Sequence, residues 1–220
     1  MTLPRPLLVL SGWRSWPVMA WHLARDIRVQ LDVSPDQIAW RSFATVSSFD
    51  AAVRRTMQLV TATWPSDDPD WSCEVDVVGV SMGGIIARAA AAGTTHHGHR
   101  LRIRRLFTLA SPHRGARLAK HIAIDAAARD MRPGSPFLRR LDEALEHADY
   151  ELICYARLGD QWVGATNTAP PGMDPIWVKP QGLTMSHLMV SNDARIVEDI
   201  CRRLVGSEPL LGPPSQPPRD

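Results

Sequence analysis

Short apolar runs alternate along this chain with longer stretches in which apolar residues recur at helical spacing. The runs predict strands near Leu7–Leu10, Ile38–Phe43, Val75–Val80, Leu106–Leu109, Leu152–Arg157 and Ile176–Val178. The longer stretches predict helices near Val18–Val29, Phe49–Thr63, Met82–Ala92, Ala116–Ala128, Phe137–His147 and Asp193–Leu204. Ser48 or Asp50 can cap the second helix, and Gly93 suits the end of the third. Strand and helix in regular alternation predict an α/β fold, with a mostly parallel sheet of about six strands flanked by helices. Residues 1–205 read as a single domain, and 206–220, rich in proline, as a loose tail. The stretch 115–147 lies between two core strands and reads as a short, lid-like helical insertion.

The most informative segment is Gly79-Val80-Ser81-Met82-Gly83-Gly84, set between an apolar strand and an alanine-rich helix. In that context Gly-x-Ser-x-Gly describes a nucleophile elbow, a sharp turn that lifts the serine hydroxyl off the end of the sheet. The turn brings the residues two before and two after the serine together, so glycines at 79 and 83 fit. Ser81 also meets the positive end of the following helix. A serine nucleophile needs a base, and His187 stands in a loop just before the last amphipathic helix, where it can return over the elbow. The acid is expected after a late strand. Asp160, at the carboxyl end of Tyr150–Arg157, is favoured over Asp174, which sits in a Pro-Gly-Met-Asp-Pro loop and reads as an Asx-type turn. The backbone N–H groups of Trp13 and Met82 are the candidate oxyanion donors.

These residues, in this order, resemble the α/β-hydrolase superfamily and specifically its lipase/esterase branch. The Ser11-Gly12 loop, the elbow, the Asp160 loop and the His187 loop match its stations in sequence. Leu109-Ala110-Ser111-Pro112-His113-Arg114-Gly115 looks like the Thr-Pro-His-x-Gly segment of lipase-like members, and Met131–Leu138 resembles the Pro-x-Ser-x-Phe-Leu stretch downstream of it. The resemblance implies hydrolysis of a carboxylic ester through an acyl-enzyme on Ser81, with no cofactor and a small-molecule acyl ester as substrate. Two positions depart from the pattern: Ser11 and Val80 stand where histidines are usual. Neither of those histidines carries the proton. His113 reads as a structural turn residue. A thioesterase or acyltransferase would use the same triad, a small amidase has no specific signal, and a catalytically silent binding module would draw on the two missing histidines.

Composition narrows the picture. A net charge of +2 over 220 residues gives no reason to expect a nucleic-acid partner. Arg100, Arg102, Arg104 and Arg105 cluster before a strand, where a solvated strand entrance is favoured over a phosphate-binding patch. No window reaches the roughly 18 apolar residues of a membrane span. The first residues are too short in apolar content for a signal peptide, and three scattered cysteines suit a reducing, cytoplasmic setting. His96-His97-Gly98-His99 reads as a surface loop rather than a metal site. Among the eight tryptophans, Trp13 and Trp162 flank the predicted catalytic loops and can narrow an acyl site.

Overall fold

The computed structural model describes residues 1–93, 99–120, 124–181, 185–213 and 216–218. Its centre is a six-stranded sheet in the order β2-β1-β3-β4-β5-β6, every neighbouring pair parallel. The strands are β1 (Leu7–Trp13), β2 (Ile38–Phe43), β3 (Val75–Val80), β4 (Ile103–Leu109), β5 (Glu151–Arg157) and β6 (Ile176–Val178). The helices are α1 (Pro17–Leu31), α2 (Phe49–Thr63), α3 (Met82–Ala92), α4 (Ala126–Asp130), α5 (Pro136–Leu145), α6 (Ser186–Met189) and α7 (Ala194–Leu204).

Side chains alternate across a strand, so each strand feeds two cores at once. Leu7, Val9, Val78, Val80, Phe107, Leu109, Ile153 and Tyr155 pack beneath Leu23 and Ile27 of α1 and Ile196 and Ile200 of α7. Leu8, Leu10, Val75, Val77 and Leu106 point the other way, against α2, α3 and α5. Burial on both faces explains why the central strands are apolar runs rather than alternating ones. The helix ends have local causes. Ser48 caps α2, its hydroxyl accepting from the Ala51 N–H, and Gly93 closes α3 in the left-handed conformation.

The chain departs from expectation in the insertion. Instead of one helix over 116–128, the described residues show a 3₁₀ turn at Leu118–Lys120 and then the short α4; residues 121–123 of that expected helix lie outside the described residues. Asp125 accepts from the Ala128 N–H and so starts a new helix at Ala126. α5 packs on the sheet-face core through Phe137, Leu138 and Leu141 rather than reaching over the sheet's end. The tail also has fixed partners. The Leu211 N–H donates to Asp199, the Arg203 guanidinium to the Leu211 carbonyl, and the Trp177 indole to the Gln216 carbonyl.

Three of the four arginines around the start of β4 have partners within the fold. Arg105 forms a 2.6 Å ion pair with Asp76, a carboxylate only 1% exposed, and donates to the carbonyls of Arg203 and Leu204. Arg102 lies 3.8 Å from Glu74, and Arg100 stacks over the Trp71 ring. Arg104 is exposed. Arg5 Nε also lies 3.4 Å from the Asp76 carboxylate and keeps part of its charge compensated, so Arg105→Ala is expected to cost about 2 kcal/mol in urea unfolding. Arg104→Ala is expected to change stability by no more than about 0.5 kcal/mol. Equal effects of the two substitutions would contradict the structural role assigned to Arg105.

Candidate active site

The order of strands contains one reversal. β1 leads through α1 to the edge strand β2, and α2 then carries the chain back to β3 on the other side of β1. A crevice opens at the carboxyl ends of β1 and β3, the position at which parallel α/β sheets bind ligands. Ser81 sits at its floor, directly after β3 and as the N-cap of α3, with φ 53° and ψ −122°. That backbone conformation costs energy for a residue with a Cβ and persists only where the surroundings enforce it. Here the surroundings are close backbone contacts. A Cβ at Gly79 would lie 2.4 Å from the Gly84 nitrogen, and one at Gly83 would lie 2.4 Å from the Leu10 carbonyl oxygen. Gly12, near the end of β1, is also close: a Cβ there would be 3.0 Å from the Ser81 Cβ.

Two later loops descend on the serine. His187 Nε2 is 3.1 Å from Ser81 Oγ, and His187 Nδ1 is 2.8 Å from Asp160 Oδ2. The other Asp160 oxygen accepts from the Trp162 and Val163 N–H groups at 2.9 and 3.0 Å. Asp160 is 2% exposed and His187 9%, so this chain of contacts is shielded from water except at the serine. A carboxylate facing Nδ1 favours the tautomer that carries its proton there and leaves Nε2 free to accept from Ser81. The Ser186 hydroxyl donates to the Leu158 carbonyl at 2.7 Å, tying the histidine loop to the turn that presents Asp160. The Trp162 ring lies 5.0 Å from the imidazole, tilted by 30°. Asp174 is exposed in its loop, and the carboxylate on His187 is that of Asp160.

Trp13 ends β1 beside this group, and Met82 is the first residue of α3, where an N–H has no acceptor within its own helix. The Trp13 indole donates to Asp125 Oδ2 at 3.1 Å, and the same carboxylate caps α4. Nothing in the local pattern of the sequence signals this tie between the β1 loop and the insertion. Around Ser81 and His187 the crevice divides into two apolar lobes sharing Trp13, Leu118 and Trp162. One holds about 70 Å³ and ends against Ala116, Ala119, Ala128, Met131 and Val163. The other holds about 440 Å³ and runs out past Arg14, Trp16, Met19 and Leu188.

His113 belongs to a different network. Arg88, 1% exposed, donates to His113 Nδ1 at 2.9 Å and to the Leu141 carbonyl and the Asp142 carboxylate. An arginine can only donate, so Nδ1 accepts and Nε2 carries the proton toward Thr108 Oγ1 at 3.0 Å. The ring therefore pins α3 to β4 and α5, deeper than a turn residue would. Among the described residues no group of three or more His, Cys, Asp or Glu side chains could hold a metal. His96 and His97 lie outside the described residues. No helix among them is long and apolar enough to cross a membrane.

This architecture recurs in solved structures. The lin2722 gene product of Listeria innocua aligns over 93% of this chain and 95% of its own, with a TM-score of 0.65 at 13% identity. The mature lipase BlEst2 of Bacillus licheniformis aligns over 91% and 92%, with a TM-score of 0.58 at 12% identity. The chain has the α/β-hydrolase fold. Phospholipase PlaB of Legionella pneumophila shares the fold at 14% identity and a TM-score of 0.65, the match covering 93% of this chain and 60% of the phospholipase. A family model described as a PGAP1-like alpha/beta domain matches residues 44–128, which include Ser81. No curated protein sequence matches the chain.

Burial pushes the His113 pKa well below its ordinary value of 6.5, and the positive charges of Arg88 and Arg114 push it further. The folded protein thus holds this ring neutral, while the unfolded chain takes up a proton below about pH 6.5. Stability from this ring is complete above that pH and is lost as pH falls below it, by about 1.4 kcal/mol per pH unit. Glutamine keeps an acceptor for Arg88, so urea unfolding of His113→Gln between pH 7.5 and 5 should show a shallower loss than wild type. Parallel curves would contradict a neutral, buried His113.

Proposed function

We propose that this protein is a serine hydrolase that cleaves carboxylic esters through an acyl-enzyme on Ser81. The observation that carries the proposal is the continuous contact from Asp160 through His187 to Ser81, at 2.8 and 3.1 Å. His187 Nε2 takes the Ser81 proton as Oγ attacks the ester carbonyl carbon. The N–H groups of Trp13 and Met82 hold the resulting oxyanion, and the helix end behind Ser81 adds to its stabilisation. When the intermediate collapses, the bond to the alcohol oxygen breaks and His187 gives its proton to that oxygen. Water then repeats the sequence. It passes a proton to His187 and attacks the acyl carbon; the bond to Ser81 breaks, and the serine recovers the proton. Asp160 keeps the imidazole oriented and stabilises its cationic form in both halves. The lipase and phospholipase among the fold relatives accord with this class of reaction.

A fluorophosphonate probe tests the serine directly. Intact mass is expected to show one adduct on wild type and none on Ser81→Ala, whose ester turnover should fall on the order of 10⁴-fold or more. Well-folded wild-type protein that takes no adduct would overturn the proposal. Asp160→Asn tests the carboxylate. Asn can still accept from the Trp162 and Val163 N–H groups but presents a donor or the wrong charge to Nδ1. The expected result is a fall in kcat of roughly 10⁴-fold with the melting temperature little changed. Near-normal turnover in Asp160→Asn would remove Asp160 from the mechanism.

A further inference from the structure

The two lobes meeting at Ser81 differ about sixfold in volume, near 70 and 440 Å³. We infer that the smaller lobe receives the acyl group, and that the natural substrate is an ester of a short acid, of two to four carbons, with a large apolar alcohol. This rests on the serine esterase reading above and specifies which side of the ester each lobe takes.

Both lobes are lined by Ser81 and His187, so the two arms of a scissile ester are divided between them. The far end of the small lobe is lined by buried side chains. Ala116, Ala119, Met131 and Val163 belong to the core beneath the sheet, and Ala128 is 2% exposed. A cavity of about 150 Å³ accommodates the six carbons of benzene, so one of about 70 Å³ holds roughly three carbon-sized atoms. Core packing there leaves little room for yielding. The Ala116 N–H is bonded to the Met131 carbonyl at 2.8 Å, and the adjoining Leu118 N–H to the Trp162 carbonyl at 2.9 Å. The large lobe runs out past exposed side chains, Arg14 and Trp16, the latter 74% exposed.

The reaction itself decides which arm goes where. The acyl group stays bonded to Ser81 through both half-reactions and needs only a closed, water-free seat. The alcohol must leave, and water must then reach the acyl carbon beside His187 Nε2. The lobe that runs out past Arg14 and Trp16 offers a path for both. Its lining of Trp13, Trp16, Met19, Trp162 and Leu188 is apolar, which suits a bulky hydrocarbon or aromatic alcohol.

The test is a panel of 4-methylumbelliferyl esters with acids of two to twelve carbons, on wild type and two variants. For wild type, kcat/KM should rise about fourfold per added CH₂ while the chain fits, then fall at least tenfold beyond four carbons. Met131→Ala, which lengthens the buried end, should move the optimum to six carbons or more. Ala116→Val should abolish butyrate cleavage while sparing acetate. Thermal melts of both variants identify any that fail to fold, and the wild-type profile decides alone if either does. An optimum at eight carbons or longer in wild type, or an unchanged profile in folded Met131→Ala, would overturn the assignment. No cleavage of any ester by wild type that still takes the fluorophosphonate adduct would overturn the ester reading itself.

Discussion

The backbone at Ser81 is the constraint around which the rest of the site is organised. A residue with a Cβ is held at φ 53° and ψ −122°, a conformation that local preferences oppose. It is over-determined by what surrounds it. β3 arrives between β1 and β4 with its ladder fully engaged, and α3 departs with most of its length buried. The Ser81 N–H donates to the Leu109 carbonyl at 2.8 Å, locking the turn to the next strand. Strand and helix can approach this closely only because Gly79 and Gly83 present hydrogen where any other residue presents carbon. The strain therefore does positional work: it places the serine oxygen at the one crevice that the strand order creates.

The sheet then acts as a ruler for the partners. Asp160 follows β5 and His187 follows β6, so two loops far apart in sequence emerge at the same carboxyl edge as the elbow. Each is fastened where it emerges. The two N–H groups of Trp162 and Val163 hold the Asp160 carboxylate, and the Ser186 hydroxyl binds the Leu158 carbonyl. Beyond His187, Asp193 caps α7 and lies 3.3 Å from the buried Arg157 at the end of β5. Burial alone would raise the Asp193 carboxyl, but hydrogen bonds from Arg195 and the charges of Arg195 and Arg157 hold it below the usual carboxylate range. That charged anchor keeps the start of α7, and the loop before it, at a fixed height above the sheet.

The parts of this arrangement that were legible in the sequence are those with a periodic or local signature. Phe49–Thr63 and Met82–Ala92 can be read from spacing because Ser48 and Gly93 mark an end of each by side chain or backbone chemistry. The six strands show because burial on both faces makes them apolar throughout. Ser81, Asp160 and His187 were legible as an ordered set, and the structure brings their side chains into contact. Polar contacts between distant segments leave no such trace. The Arg88–His113 pairing, the Trp13–Asp125 tie and the Arg105–Asp76 ion pair join residues 25, 112 and 29 positions apart, and none follows from composition. The helix that the pattern predicts over 116–128 differs for a related reason. Its alanines favour helix, but Asp125 starts a helix at Ala126, and the N–H groups of Ala116 and Leu118 are tied to the Met131 and Trp162 carbonyls.

The central claim is that His187 presents an unprotonated Nε2 to Ser81 because Asp160 holds the proton on Nδ1. The most direct measurement is an NMR spectrum of protein labelled on its histidine nitrogens, with the His187 signals identified by their loss in His187→Gln. At a pH where the ring is neutral, the account predicts a proton on Nδ1, shifted far downfield by the Asp160 carboxylate, and a bare Nε2. It also predicts that Asp160→Asn reverses the two. A neutral His187 carrying its proton on Nε2 in the wild-type protein would contradict it.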